Sequence, residues 1–120
     1  MTPDEALIAR VTTLTLPLGP MTARRMFSGH GLYLNGAMFA IVARGALYLK
    51  ADAAGADRFR AAGSCPFTYR RRGRDVALSF WRLPEDAWAG IGAFLPWAEM
   101  ALAAARRAKR SASERRKRRV

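Results

Sequence analysis

The sequence predicts a small α+β domain in which helices flank an antiparallel β-sheet. The chain has 120 residues, which is enough for one domain with a buried core. Its hydrophobic share of 51% lies at the upper end of the roughly 45–50% typical of soluble domains, so we expect a folded body. Short apolar runs cut by glycine fill the middle of the chain, and segments of helical periodicity lie on either side.

The first helix is predicted from Pro3 to Thr15. Thr2 can act as its N-cap, Pro3 suits the first helical position, and Glu5 is placed to complete a capping box. Apolar residues then recur on one helical face: Leu7, Ile8, Val11 and Leu14. Two prolines and a glycine follow within residues 16–20, so we expect the helix to end there and a loop to begin.

An antiparallel meander of three to four strands is predicted between Arg24 and Lys50. Its apolar runs are Arg24 to Phe27, Gly31 to Leu34, Ala37 to Ala43 and Ala46 to Lys50. Asn35-Gly36 is a strong hairpin signal because the favoured turn needs positive φ at both central residues, and Arg44-Gly45 is a weaker one. Met38 to Val42 is apolar at odd and even positions, so we expect this strand to be covered on both faces.

A short helix and a second hairpin are predicted next. Asp52 can cap a helix that runs to about Ala62, with Gly63 as the residue that ends it. The hairpin has two strands around Gly73: Phe67 to Arg72 and Asp75 to Arg82.

The C-terminal helix is predicted to begin at Pro84-Glu85-Asp86, where negative charge suits the helix dipole. Pro96 is expected to split it into a short first turn and a longer Ala-rich helix. Ser111 and Ser113 have lower helix propensity, so we expect the helix to fray beyond the domain.

Positive charge is concentrated at the C-terminal end of the chain. Of the formal net charge of +12, residues 106–120 carry nine Lys or Arg and one acid, and therefore +8. We divide the chain into an α+β domain at 1–105 and a basic C-terminal tail at 106–120. A run of like charge repels itself, stays unfolded and attracts polyanions, so the tail predicts non-specific, salt-sensitive binding of nucleic acid.

Candidate nucleic-acid-binding residues form two groups. The tail contributes Arg106, Arg107, Lys109, Arg110, Arg115, Arg116, Lys117, Arg118 and Arg119. The second hairpin turn contributes Arg70, Arg71, Arg72 and Arg74. Arginines at a turn are more commonly a solvated tip, and that interpretation stays open beside nucleic-acid binding.

Aromatic residues in the predicted strands offer a platform for stacking bases. They are Tyr33, Tyr48, Phe67, Tyr69, Phe80 and Trp81. Aromatics at alternating strand positions more often belong to a core, and we favour that interpretation.

The sequence offers no complete catalytic constellation, so we predict a protein that is not an enzyme. Ser28 and His30 are the one local pairing of nucleophile and base, and no carboxylate lies near them in sequence to orient the imidazole. A small ligand-binding or hydrolase-like domain that uses Ser28 to Gly31, with Tyr33 or Arg25, is the alternative.

Metal ions, cofactors and membranes are not expected as partners. The single Cys65 and single His30 cannot supply a structural metal site. The glycines at 29, 31 and 36 lack the strand-to-helix spacing of a phosphate loop. One cysteine suits a reducing compartment, and no apolar run is long enough to span a bilayer, so we expect a cytoplasmic protein.

Several blocks of the sequence have a distinctive order and spacing. The first runs from Arg25 to Gly36 and reads RMFSGHGLYLNG, and Leu47-Tyr48-Leu49-Lys50 follows it. With Pro66-Phe67-Thr68-Tyr69 and Ser79-Phe80-Trp81, these blocks make residues 4–105 resemble the N-terminal domain of the TfoX (Sxy) competence regulators. The motif residues are Met26, Phe27, Gly29, Gly31, Leu32 and Tyr33.

The resemblance implies an α+β domain on an antiparallel sheet and a role in regulating competence genes, without catalytic residues or a cofactor. Full-length family members have a second, helical domain, and we expect this chain to be a stand-alone N-terminal domain. The sequence therefore predicts a bacterial regulator or adaptor of transcription or competence, whose sheet domain holds a protein partner while its tail attracts nucleic acid. A pure protein-interaction module is a further alternative.

Overall fold

The computed structural model describes residues 1–26 and 29–118, and these form an α+β domain. The helices are α1 (Pro3–Leu14), α2 (Ala53–Ala61) and α3 (Ile91–Arg118), with short 3₁₀ helices at Leu16–Leu18 and Glu85–Ala89. The strands are β1 (Met21–Met26), β2 (Gly29–Leu34), β3 (Ala37–Ala43), β4 (Ala46–Lys50), β5 (Pro66–Arg71) and β6 (Arg74–Arg82). The predicted fold class, with helices on both sides of the strands in sequence, is confirmed.

The described strands form one antiparallel sheet in the order β1-β2-β3-β4-β6-β5. The second hairpin joins the meander, so the sheet has more strands than the meander alone was predicted to have. This junction is short, because β6 pairs with β4 only through Phe80–Arg82, opposite Tyr48–Lys50. The remainder of β6 pairs with β5, so most of the hairpin is free to leave the plane of the meander.

The tight turns follow from residues that accept positive φ. Asn35 and Gly36 have φ of 52° and 77°, and Arg44 and Gly45 repeat this pattern at 53° and 76°. Arg72-Gly73 forms a third such turn, at 52° and 76°, so the last hairpin turns at both residues rather than around the glycine alone. Paired positive φ gives the backbone twist that matches two antiparallel strands, which is why these dipeptides fix the strand register.

Strand β1 begins earlier than predicted. It starts at Met21, whose backbone is opposite Leu34 and whose side chain packs against the main core. The predicted loop at 16–20 is partly a 3₁₀ turn, Leu16–Leu18. The predicted end of this strand at Phe27 lies outside the described residues.

The main core lies between the helices and one face of the sheet. Strand β3 is buried on both faces, as predicted, and a bulge places Phe39 and Ala40 together on the helix side. Phe59 of α2 is fully buried, with its ring centroid 6.2 Å from that of Trp81 and 4.7 Å from that of Trp97. These aromatic contacts attach α2 to both the sheet and α3.

Two predictions about the C-terminal helix are wrong. Pro96 does not split it, because α3 runs through this residue; the break comes at Gly90, after the 3₁₀ turn. Pro96 is the sixth residue of α3, and it removes only its own N–H hydrogen bond from the helix. The helix also does not fray at Ser111 and Ser113, since α3 continues to Arg118. Its last turn contains four cations, whose positive charge interacts favourably with the negative end of the helix dipole.

Replacing Phe59 by Ala should lower the free energy of unfolding by about 3–5 kcal/mol, because the cavity would lie among buried rings that cannot close over it. Urea unfolding monitored by circular dichroism measures the change. Ile91→Ala is the control, since Ile91 is 47% exposed and its truncation should change stability by no more than about 0.5 kcal/mol. Equal losses for the two variants would contradict this placement of the core.

Candidate nucleic-acid interface

The basic part of α3, residues 106–118, directly follows the part of the helix that is buried in the main core. Ala101, Leu102, Ala104 and Ala105 are buried against the core, and the side chains change to exposed at Arg106. The described cations of this basic segment are all exposed: Arg106, Arg107, Lys109, Arg110, Arg115, Arg116, Lys117 and Arg118. Arg119 lies outside the described residues. The segment was predicted to be unfolded, and the described part is instead a helix about 18 Å long, at about 1.5 Å per residue.

Two contacts hold the base of this segment against the body. The Arg107 guanidinium donates a short hydrogen bond to the Asp52 carboxylate. The Lys109 ammonium lies over the β2–β3 turn, so close that a Cβ on Gly36 would be 2.8 Å from its Nζ. The direction of the basic segment is therefore set where α3 passes the start of α2 and the end of β2.

Asp52 has two structural roles. Its Oδ1 caps α2 by accepting a hydrogen bond from the backbone N–H of Gly55 at 3.0 Å, and its Oδ2 accepts from Arg107. The Gly55 hydrogen bond, and after it the bond from Arg107, lowers the pKa of Asp52 below its usual 3.8. The carboxylate is therefore ionised at neutral pH and can hold Arg107 there.

The other cations of the basic segment make no ion pair with an acid within residues 1–26 and 29–118. Arg106, Arg110 and Lys117 fall within about 40° of one another around the helix, given 3.6 residues per turn. They form a stripe along the segment, and the remaining cations are distributed around the rest of the helix. This arrangement offers guanidinium and ammonium groups to the phosphates of a polyanion.

The hairpin arginines are exposed, but they differ in their partners. Arg70 forms an ion pair with Asp75 at 3.4 Å and donates to the Gly73 carbonyl at 3.1 Å, so it stabilises the hairpin itself. Arg71, Arg72 and Arg74 are exposed and have no acidic partner in the part of the chain that the structure describes. Arg70 therefore has a structural role, while the other three arginines fit both a solvated tip and nucleic-acid binding.

The aromatic residues divide between the two faces of the sheet. Trp81 belongs to the main core on the helix side. The other five lie on the opposite face, which we call the open face: Tyr33, Tyr48, Phe67, Tyr69 and Phe80. Tyr48 and Phe67 pack edge to face with ring centroids 5.0 Å apart, and Phe80 is only 9% exposed. Most of these rings therefore contact one another or a neighbouring cation, and they do not form one flat platform.

The alternative catalytic pairing of Ser28 and His30 lies only partly within the described residues. His30 lies opposite Arg25 and Val42 in the sheet, and its buried Nδ1 has no hydrogen-bond partner in the part of the chain described. Ser28 lies outside the described residues. Within residues 1–26 and 29–118, no three His, Cys, Asp or Glu side chains cluster so as to hold a metal ion.

The motif glycines lie where a neighbouring backbone or neighbouring methionine side chains leave little room for a side chain. A Cβ on Gly29 would be 2.4 Å from the Val42 carbonyl oxygen, and one on Gly31 would be 2.9 Å from the Met26 sulfur. Leu32 is fully buried in the main core. The motif therefore specifies close packing around β2, and its glycines are structural.

The comparisons with known proteins show which family this sequence is similar to. The sequence model of the TfoX N-terminal domain matches residues 13–105, which include all six motif residues. Protein Sxy of Escherichia coli (strain K12) is 32% identical to this chain over 71 residues. That similarity covers 59% of this chain but only 34% of Protein Sxy, so the chain corresponds to about a third of this relative's length. No helix of the described residues is long and apolar enough to cross a membrane.

The Asp52 contact predicts a pH-dependent contribution to stability. Because the pKa of Asp52 is lowered in the folded state, its contribution is present above about pH 4 and is lost as the pH falls through the folded-state pKa. Asp52→Asn retains a side-chain oxygen for the cap but removes the charge, so this variant should lose less stability than the wild type between pH 5 and pH 2. Urea midpoints at several pH values measure the difference.

Asp57→Asn is the matched control, since Asp57 pairs with Arg60 on the exposed surface of the same helix. Its pH dependence should follow that of the wild type. Parallel curves for the wild type and Asp52→Asn would show that the ionised form of Asp52 does not stabilise the fold.

Proposed function

This chain belongs to the TfoX N-terminal domain family, and from that membership we propose that it is a non-enzymatic regulator or adaptor with affinity for nucleic acid. The family and the similarity to Protein Sxy connect it with competence regulators. A role of this chain in competence or transcription is a proposal, because the similarity covers only part of Protein Sxy. The observation that carries the nucleic-acid proposal is the exposed basic segment of α3, whose cations are mostly without an acidic partner in the described chain.

Binding would come from contacts between the basic segment and phosphates. A helix presents its cations at fixed spacing, so less conformational entropy is lost on binding than for an unfolded tail. Each neutralised phosphate releases bound counterions and contributes about −0.9 to the log-log salt slope on duplex DNA; contact with about five phosphates gives a slope near −4.5. Such contacts carry no base information, so this binding is non-specific.

The sheet domain is proposed to hold a protein partner. Strands β1 and β5 are the edges of the described sheet, and β1 is largely exposed. An exposed edge offers unpaired backbone groups to an added strand. We also propose a cytoplasmic location, which is supported by a single cysteine, Cys65, that is exposed and free.

Removing the basic segment should abolish most binding of duplex DNA. In fluorescence anisotropy at low salt, the intact chain should bind with a salt slope near −4.5. A chain that ends at Ala105 should bind at least about tenfold more weakly, because each lost phosphate contact weakens non-specific affinity. Equal affinities for the two chains would contradict the proposed role of the segment.

Two full-length variants separate charge from fold. Replacing Arg115, Arg116, Lys117 and Arg118 by Gln should reduce both the affinity and the salt slope while α3 stays helical by circular dichroism. Replacing Arg71, Arg72 and Arg74 by Gln is the matched control on the hairpin, and it should retain most of the affinity. A larger loss from the hairpin variant would place the interface there.

A further inference from the structure

The open face of the sheet carries a hydrophobic cluster separate from the main core. Ile41, Ala43 and Phe80 are its buried members, and four partly buried residues pack against them: Met38, Tyr48, Phe67 and Leu78. None of the described helices supplies a residue to this cluster. Its cover comes from the β5–β6 hairpin, which contributes Phe67, Leu78 and Phe80.

The hairpin curves over the open face and encloses an apolar cavity. Adjacent strands lie about 4.8 Å apart, so β1 and β5 would be about 24 Å apart in a flat sheet of this strand order. Instead, Met26 of β1 and Phe67 and Tyr69 of β5 line one cavity of ≈ 280 Å³. The short junction between β4 and β6 and the irregular pairing at Phe67 allow this curvature.

The cavity has a floor of small residues and walls of large ones. Gly29 and Ala43 form the floor, because the tight backbone contact of Gly29 with Val42 admits no side chain there. Met26, Ile41, Phe67, Tyr69 and Leu78 form the walls. Among the described lining residues, the polar side-chain groups are the Tyr69 hydroxyl and the Arg44 guanidinium.

Arg44 places a positive charge at the rim of this apolar space. It belongs to the β3–β4 turn, which Asp4 of α1 secures by accepting a hydrogen bond from the Gly45 N–H at 2.7 Å. Its guanidinium carbon lies 6.0 Å from the Phe67 ring centroid. Within residues 1–26 and 29–118, Arg44 forms no ion pair. The geometry therefore combines an apolar cavity with one cation on a fixed turn.

We propose that this cavity binds a small amphipathic carboxylate, such as a medium-chain fatty acid, with its apolar body inside and its carboxylate on Arg44. The volume lies just below the roughly 300–1,000 Å³ of typical small-molecule sites, so it suits a small ligand. A carboxylate matches the planar donor pair of a guanidinium. This site is independent of the nucleic-acid function proposed above.

Other occupants fit the lining less well. A nucleobase would leave most of its hydrogen-bonding groups unpaired against these apolar walls. A second copy of the chain, packed through a two-fold axis on the open face, would bring like charges together, since Arg24, Arg44 and Lys50 lie around that face.

The test is isothermal titration calorimetry of the full chain with octanoate, 1-octanol and octylamine, which share an apolar tail and differ in the head group. Octanoate should bind saturably at one site, octanol at least about tenfold more weakly, and octylamine more weakly still. A carboxylate accepts charge-assisted hydrogen bonds from Arg44, a hydroxyl accepts a weaker one, and an ammonium is repelled by the same charge. No saturable binding of octanoate, or equal binding of octylamine, would overturn the proposal.

Variants locate the site. Arg44→Gln should weaken octanoate binding about tenfold without changing octanol binding, and Arg44→Lys should retain part of the affinity. Leu78→Trp should fill the cavity and remove binding of both ligands, with circular dichroism used to confirm the fold. Arg71→Gln, on the same hairpin but outside the cavity lining, should bind octanoate as the wild type does.

Three further outcomes would contradict the proposal, and the last two would also assign the open face to another occupant. If Leu78→Trp leaves octanoate binding intact, the ligand lies elsewhere and the proposal fails. If octanoate does not bind and Leu78→Trp abolishes binding of single-stranded oligonucleotides, the open face binds nucleic acid. If octanoate does not bind and Leu78→Trp converts a dimer to a monomer in sedimentation, the open face binds a second copy of the chain.

Discussion

Burial of β3 on both faces is the constraint on which the rest of this structure depends. A strand that is apolar at odd and even positions needs a hydrophobic layer on each side. Helices α1 and α3 contact it on one side, where its bulge directs Phe39 and Ala40 into the same core. The curved β5–β6 hairpin supplies the second layer, over Ile41 and Ala43. The main core and the apolar cavity are thus two consequences of one sequence pattern.

The position of the basic segment follows from the packing of α3 on this sheet. Its alanines let the helix lie close to the main core as far as Ala105, and the charged residues begin at the next position, Arg106. Asp52 then forms an ion pair with Arg107, which stays exposed, and this contact aligns the helix with the body. The other cations of the segment are left to solvent, and this separation of core and charge is what makes a polyanion a suitable partner.

Much of the local structure could be predicted because it depends on residues close in sequence. Thr2 and Asp52 cap their helices, and Asn35-Gly36 and Arg44-Gly45 turn their hairpins, each within four residues. The strands β3 and β4 consequently have their predicted bounds. Every cation of the candidate interface could also be identified, since a run of charge is visible in the sequence alone.

The sequence by itself determined the α+β class, the hairpin turns and the uneven distribution of charge, because these depend on local propensity and composition. Only the tertiary structure decided that α3 passes through Pro96, that Asp52 pairs with Arg107, and that the last hairpin curves over the open face. Each of these depends on groups far apart in the chain: Asp52 and Arg107 are separated by 55 positions, and Met26 and Tyr69 lie on opposite edges of the sheet. These residues come together because of how the helices and the hairpin pack on the sheet, and no local sequence pattern encodes that packing.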